Sequence, residues 1–144
     1  MSPVVIPVEP LLPHRGPAIV LDGLQELAED GCIALATVRE GAWYLNAEGL
    51  MPAWVGLEMM AQAASAFSGH RNTLSGRPVR VGYLLGTRSF TATGPAFPVG
   101  TVLEIEVRVL FLDESGPSAF RCELRSSGLS VATATLKAIE VHET

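Results

Sequence analysis

Residues 53–70 constrain this chain more than any other stretch. They contain no proline, are rich in alanine, methionine and leucine, and place Trp54, Val55, Leu57, Met59, Met60, Ala63 and Phe67 at nearly every direction of a helical wheel. A helix on a protein surface keeps one polar side, so a helix apolar almost all round must be wrapped by the rest of the chain. Pro52 just ahead and Gly69 near the end give the proline-in, glycine-out asymmetry of a helix, predicted here over 53–70. No other segment reads as a long helix.

What surrounds it is predicted to be β-structure. Residues 18–22 and 23–28 read as extended, the turn Glu29-Asp30-Gly31 follows, and 32–39 alternates with β-branched character, a hairpin signature. Residues 41–51 hold Gly41, Asn46 and Gly49 without sustained period and read as a long loop. Strand character returns over 79–91, 102–112, 118–126 and 129–141. Alternation is cleanest where Leu103, Ile105, Val107 and Val109 share one face and Glu104, Glu106 and Arg108 the other. One strongly curved antiparallel sheet around one buried helix is the economical way to cover that helix, giving an α+β class. No repeat or linker interrupts the chain, so a single domain over 1–144 is expected, its first ten residues an extended segment broken by Pro3, Pro7 and Pro10.

Composition narrows the functional classes. Hydrophobic residues are 48% and charged ones 17%, enough for a core and a subunit interface. A net charge of −5 gives no support to a nucleic-acid-binding surface. The distribution is uneven: no acid lies between Glu58 and Glu104, whereas Arg71, Arg77, Arg80 and Arg88 do. If those arginines share a face, an anionic partner fits it; otherwise they are an ordinary solvated surface. Cys32 and Cys122 have no metal-ligand spacing and read as reduced core residues. The N-terminus lacks the basic and apolar regions of a secretory signal, and no run reaches the length needed to span a bilayer, so a cytoplasmic, soluble protein with no membrane partner is expected. No phosphate loop, nucleotide fingerprint or metal cluster is present in the sequence.

The polar positions of the helix are spaced by four, three and four: Glu58, Gln62, Ser65 and Gly69 form one stripe. A carboxylate amid apolar neighbours is costly, so burial favours its protonated form and makes Glu58 a candidate general acid. The alternative is that Glu58 is tied by Gln62 or by Arg88 and only fixes the helix. Met51 is not a capping residue, so the amides near Ala53 and Trp54 at the positive helix end are free either for a carbonyl that gains negative charge or for a neighbouring backbone carbonyl. His70, at the expected helix end, His142 and the Met59-Met60 pair carry structural readings.

These residues resemble a known family. The run Leu12-Pro13-His14-Arg15-Gly16-Pro17-Ala18-Ile19-Val20-Leu21-Asp22, the helix Glu58-Met59-Met60-Ala61-Gln62 after Met51-Pro52, then Leu85-Gly86, Arg88 to Phe90, and Phe97-Pro98-Val99-Gly100 follow the order of the hotdog-fold 3-hydroxyacyl-acyl-carrier-protein dehydratases over residues 11–140. Within them the chain is most similar to the dehydratase-like proteins of aryl polyene gene clusters. The resemblance implies a dimer with a tunnel at its interface and a substrate carried on the phosphopantetheine of an acyl carrier protein or coenzyme A, with no further cofactor. It implies Glu58 as the acid that protonates the departing β-hydroxyl; beside it we expect Gln62 as a hydrogen-bonding neighbour and the amides near Ala53 and Trp54 on the thioester carbonyl. An acidic carrier would suit the region from Arg71 to Arg88.

One part of the pattern is missing. The family's base is a loop histidine of the other subunit, and at its spacing this chain has Tyr44, with no histidine between His14 and His70. Three readings follow. His14 or Tyr44 serves instead, though a tyrosine is a poor base near neutral pH and an acyl-channel wall suits it better. A related hotdog subunit supplies the histidine in a heterodimer in place of a homodimer. Or the chain is a non-catalytic thioester-binding subunit, or a thioesterase in which Glu58 activates water.

Overall fold

A computed structural model describes residues 6–77, 82–113 and 115–140. In chain order it has β1 (Gly23–Ala28), β2 (Gly31–Thr37), β3 (Leu50–Pro52), α1 (Val55–Leu74), β4 (Gly82–Ala92), β5 (Ala96–Pro98), β6 (Val102–Leu112), β7 (Pro117–Ser126) and β8 (Leu129–Glu140). Six strands form one antiparallel sheet in the order β1-β2-β6-β7-β8-β4, and β3 pairs with β5 in a small second sheet. The large sheet wraps α1, which packs mainly on β2, β6 and β7.

The alternation of β6 sets the layering. Leu103, Ile105 and Val107 are fully buried toward α1, with Ala34 and Ala36 of β2 and Phe120, Cys122 and Leu124 of β7 beside them. Small residues on β2 and at Gly56 let the helix approach closely: a Cβ on Gly56 would lie 2.6 Å from Leu124 Cδ1. Phe67 meets Phe120 edge-on with ring centroids 6.3 Å apart, filling the middle of the core. On the outer face Arg125 bridges Glu104 (2.9 Å), Glu123 and Glu106, and those carboxylates hold its guanidinium proton even more firmly than usual. Cys32 and Cys122 are buried and free, and burial pushes both thiols up to about 12, so they stay protonated and inert. No helix among the described residues is long and apolar enough to cross a membrane.

The β1–β2 hairpin turns where expected, Ala28 opposite Gly31. Several boundaries differ. Residues 18–22 are not a strand: Gly16–Ala18 is a 3-10 turn and pairing begins at Gly23, although Asp22 N–H already reaches Leu35 O at 2.7 Å. The N-terminal segment is described from residue 6, where Ile6 bridges Leu24, and Glu9–Leu11 coils into a 3-10 turn instead of staying extended. The first three residues of the strand expected over 79–91, and the last of that over 129–141, lie outside the described residues.

Both expected helix ends also shift, for identifiable reasons. Pro52 does not open α1; it ends β3 opposite Ala96, and Trp54 takes the N-cap position. Gly69 does not close it; the helix runs on to Leu74, and the chain leaves through Ser75 and Gly76, the latter at φ +71°. Gly69 is glycine because a Cβ there would sit 2.1 Å from the carbonyl oxygen of Leu11. Helix propensity alone would make Gly69→Ala stabilising by up to about 1 kcal/mol. The clash with backbone reverses the sign, and we expect a loss of about 1–3 kcal/mol in urea denaturation; a gain would show that the Leu11 segment moves aside freely.

Candidate active site

Glu58 stands in the first turn of α1 and Gln62 one turn later, on the same stripe. Gln62 is fully buried, and its amide is used completely. Oε1 accepts from Val20 N–H at 2.9 Å, while Nε2 donates to Ala18 O at 2.7 Å and to Glu58 Oε1 at 2.9 Å. Only this orientation satisfies both backbone groups, so Gln62 fastens α1 to residues 18–20 and aims one oxygen of the carboxyl. Among the described residues, neither Arg88 nor any other arginine shares in this. Arg88 is exposed on β4, opposite Thr135 of β8, and has no ion pair with Glu58.

The segment before it brings a second titratable group to the carboxyl. Leu11 and Leu12 are buried, and the Arg15 guanidinium curls back to donate to the carbonyls of Glu9 (3.1 Å), Leu12 (2.6 Å) and His14 (2.7 Å). That fold-back presents His14 Nε2 at 3.9 Å from Glu58 Oε1. His14 Nδ1 is buried with no hydrogen-bond partner.

Glu58 is not enclosed by its own chain. Its side chain is 41% exposed, because the sheet and the N-terminal segment cover α1 on all sides except a strip formed by Leu57, Glu58, Ala61, Ser65 and Ser68, each only partly buried. The enclosure expected from the apolar wheel is therefore not supplied within one chain.

Two further expectations are corrected. Tyr44 offers no free phenol: its hydroxyl accepts from Arg39 N–H at 3.2 Å and lies 3.5 Å from Thr37 O, and its ring packs edge-on against Trp43. The loop around it is pinned, with Trp43 Nε1 donating to Pro17 O at 2.8 Å and the Asp22 carboxylate accepting from Thr37 and Arg39. Tyr44 and Trp43 thus wall a cleft of about 520 Å³ shared with Gly16, Pro17, Ile19 and Val20. Nor is the Ala53 amide open, since it donates to Pro95 O at 2.9 Å, a carbonyl brought in by the β3–β5 pairing. Gly56 and Leu57 N–H turn to Ala53 and Trp54 carbonyls. Among the described residues Trp54 N–H has no acceptor and its residue is exposed, while Val55 N–H has none either but is fully buried, so of the two expected donors only Trp54 is open.

Among the described residues, the arginines from Arg71 to Arg88 do not line one cleft. Arg71 and Arg77 line a cleft of about 230 Å³ near the end of α1 together with Glu140 and Asp113. Arg88 stands farther along β4, and Arg80 lies outside the described residues.

A single long helix wrapped by a six-stranded antiparallel sheet, with an oriented carboxyl on the strip left uncovered, defines a hotdog-fold protein. The chain belongs to the ApeP-like family, described as ApeP dehydratase, which matches residues 6–144. It is 30% identical to a chain of the dehydratase heterocomplex ApeI:P from Xenorhabdus doucetiae, with a TM-score of 0.91 over 96% of this chain and 93% of that one. More distant structures share the fold alone. The TT0310 protein from Thermus thermophilus is 21% identical at a TM-score of 0.65, covering 89% of this chain and 100% of its own. The PaaI protein of the E. coli phenylacetic acid degradation operon is 14% identical at 0.65, covering 86% and 81%. A comparison with curated proteins finds no match.

Proposed function

We propose that this chain is the acid-bearing half of a 3-hydroxyacyl-thioester dehydratase whose base comes from a second, related hotdog subunit. The observation that carries this reading is the Glu58–Gln62 pair, locked in place on the one uncovered strip of α1, in a chain whose loop over 41–51 has no histidine. A partner laid on that strip would dry the carboxyl and complete the site. A related structure is a dehydratase heterocomplex, which supports a heterodimer over a homodimer.

In the reaction the partner's base takes the α-proton of the thioester, and the electron pair forms the α,β double bond. The C–O bond to the β-hydroxyl breaks as Glu58 delivers its proton, so the trans-2-enoyl thioester and one water leave. Charge that gathers on the thioester oxygen faces Trp54 N–H at the positive end of α1. The acyl group arrives on the phosphopantetheine of an acyl carrier protein in the cytoplasm.

Mass spectrometry of a 3-hydroxyacyl carrier protein tests this directly. We expect no loss of water with the purified chain alone and conversion when a histidine-bearing hotdog subunit is added. Full turnover by the chain alone would reject the two-subunit reading, and release of free thiol from the thioester would make the protein a thioesterase.

A further inference from the structure

We propose that Trp54 is the anchor by which this chain seats the second hotdog subunit, its indole entering a pocket of that partner one helical turn from Glu58. The inference rests on the two-subunit reading and names the residue that holds the subunits together. Its basis is the phase of α1. Trp54 caps the helix with helical backbone angles, φ −62° and ψ −22°, so the phase of α1 extends back to it. At about 100° per residue, Trp54, Leu57, Glu58, Ala61, Ser65 and Ser68 fall in one sector about 100° wide, with Trp54 near its middle. Every other position from Val55 to Gly69 is buried under the chain's own sheet and N-terminal segment. Trp54 therefore continues the uncovered strip on which the two-subunit reading lays the partner.

The chemistry of the strip is that of an interface core, where charge is depleted and aromatic residues are enriched. Glu58 is its only charged residue, and the Trp54 indole, the largest apolar group on it, is 59% exposed. Trp43, the other exposed indole, gives the contrast: it packs on the Tyr44 ring and donates Nε1–H to Pro17 O at 2.8 Å, so its own chain holds it. Among the described residues the Trp54 side chain makes no hydrogen bond and no ring contact. The occupant is a related subunit and not a second copy, because the strip is open at Glu58 and a second copy brings the same loop over 41–51, without a histidine. A tryptophan hot spot sits in a desolvated pocket ringed by contacts that exclude water. Glu58 lies four residues from Trp54, about 6 Å of helix rise. Seating the indole and drying the carboxyl are then one event.

Trp54→Ala is expected to weaken association with a histidine-bearing hotdog subunit about 30-fold or more in sedimentation equilibrium. The melting temperature of the isolated chain should stay as it is, since the lost side chain stands mostly in water there. Leu74→Ala is the control: Leu74 is more exposed still, but it stands at the far end of α1 and about 200° round it, and its loss should leave Kd unchanged. An unchanged Kd for Trp54→Ala, or an equal loss for Leu74→Ala, overturns the proposal. Fluorine NMR of the full chain carrying fluorotryptophan, its two resonances assigned with Trp54→Phe, reads the indole directly. Adding the subunit is expected to move the Trp54 resonance; one that stays in place while the complex forms overturns the anchor. A resonance moved by the concentration of the chain alone gives the surface to a second copy, and one moved by a 3-hydroxyacyl thioester without the subunit gives it to substrate; either result overturns the anchor as well. A complex that forms through Trp54 yet removes no water from the thioester retires the dehydratase reading and leaves the anchor standing, whereas no complex at all retires both.

Discussion

Glu58→Gln is expected to lower turnover of a 3-hydroxyacyl thioester by the two-subunit complex about 10²–10⁴-fold while leaving the melting temperature of the isolated chain unchanged. The substitution keeps the size of the side chain, and its amide oxygen still accepts the Nε2–H of Gln62 that now holds Oε1 at 2.9 Å. In the isolated chain the position is partly exposed, so no buried charge is stranded or removed there. What disappears is the acidic proton: an amide N–H is far too weak an acid to protonate a departing hydroxyl. The loss should therefore fall on kcat, with KM moving little, since the amide that faces the thioester carbonyl is untouched. Single-turnover kinetics on a carrier-bound substrate checks this. Unchanged turnover removes Glu58 from the mechanism, and a parallel loss of stability would assign it to the fold.

Gln62→Leu should damage both fold and reaction. Leucine fills the space but leaves Val20 N–H without a partner at a buried site, whereas the carbonyl of the exposed Ala18 can turn to water. An orphaned buried polar group costs about 1–3 kcal/mol, so we expect a loss of about 1–3 kcal/mol in urea denaturation. In the protein that remains folded, the carboxyl of Glu58 has lost the donor that aims it, and turnover should fall as well. Gln62→Glu separates these effects. It keeps an acceptor for Val20 N–H and forfeits the donor to Ala18 O, while crowding a second carboxyl against the first. We expect its stability to lie between wild type and Gln62→Leu. A stability indistinguishable from wild type in both variants would mean that residues 18–20 are held by something other than Gln62.

The parts of this architecture that were legible in the sequence are those written in short-range periodicity. Apolar side chains all round residues 53–70 required a wrapped helix, the alternation of Leu103, Ile105 and Val107 against Glu104 and Glu106 required a strand with one buried face, and the four-residue step from Glu58 to Gln62 placed amide beside carboxyl. The misread features depend on contacts distant in sequence. Gly69 looks like a helix stop, yet it is a close approach to Leu11, and Pro52 looks like a helix start, yet it belongs to a strand paired with β5. The Ala53 amide is taken by Pro95, and the Tyr44 hydroxyl by the backbone of Thr37 and Arg39. Periodicity also counts apolar side chains without saying which chain covers them, which is why the helix promised an enclosed Glu58 and the fold leaves it on an open strip. The nearness of His14 to Glu58 could be suspected only from their presence in one motif order, because Arg15 and its three carbonyls make the bend that joins them.

The most direct measurement of the central claim is a crystal structure of this chain with a histidine-bearing hotdog subunit and a non-hydrolysable 3-hydroxyacyl thioester analogue. The account predicts the Glu58 carboxyl within about 2.6–3.2 Å of the β-hydroxyl, covered by the second subunit, with that subunit's imidazole facing the α-carbon from the other side. A Glu58 still open to bulk water in the assembled complex, or an analogue bound away from it, would contradict the account.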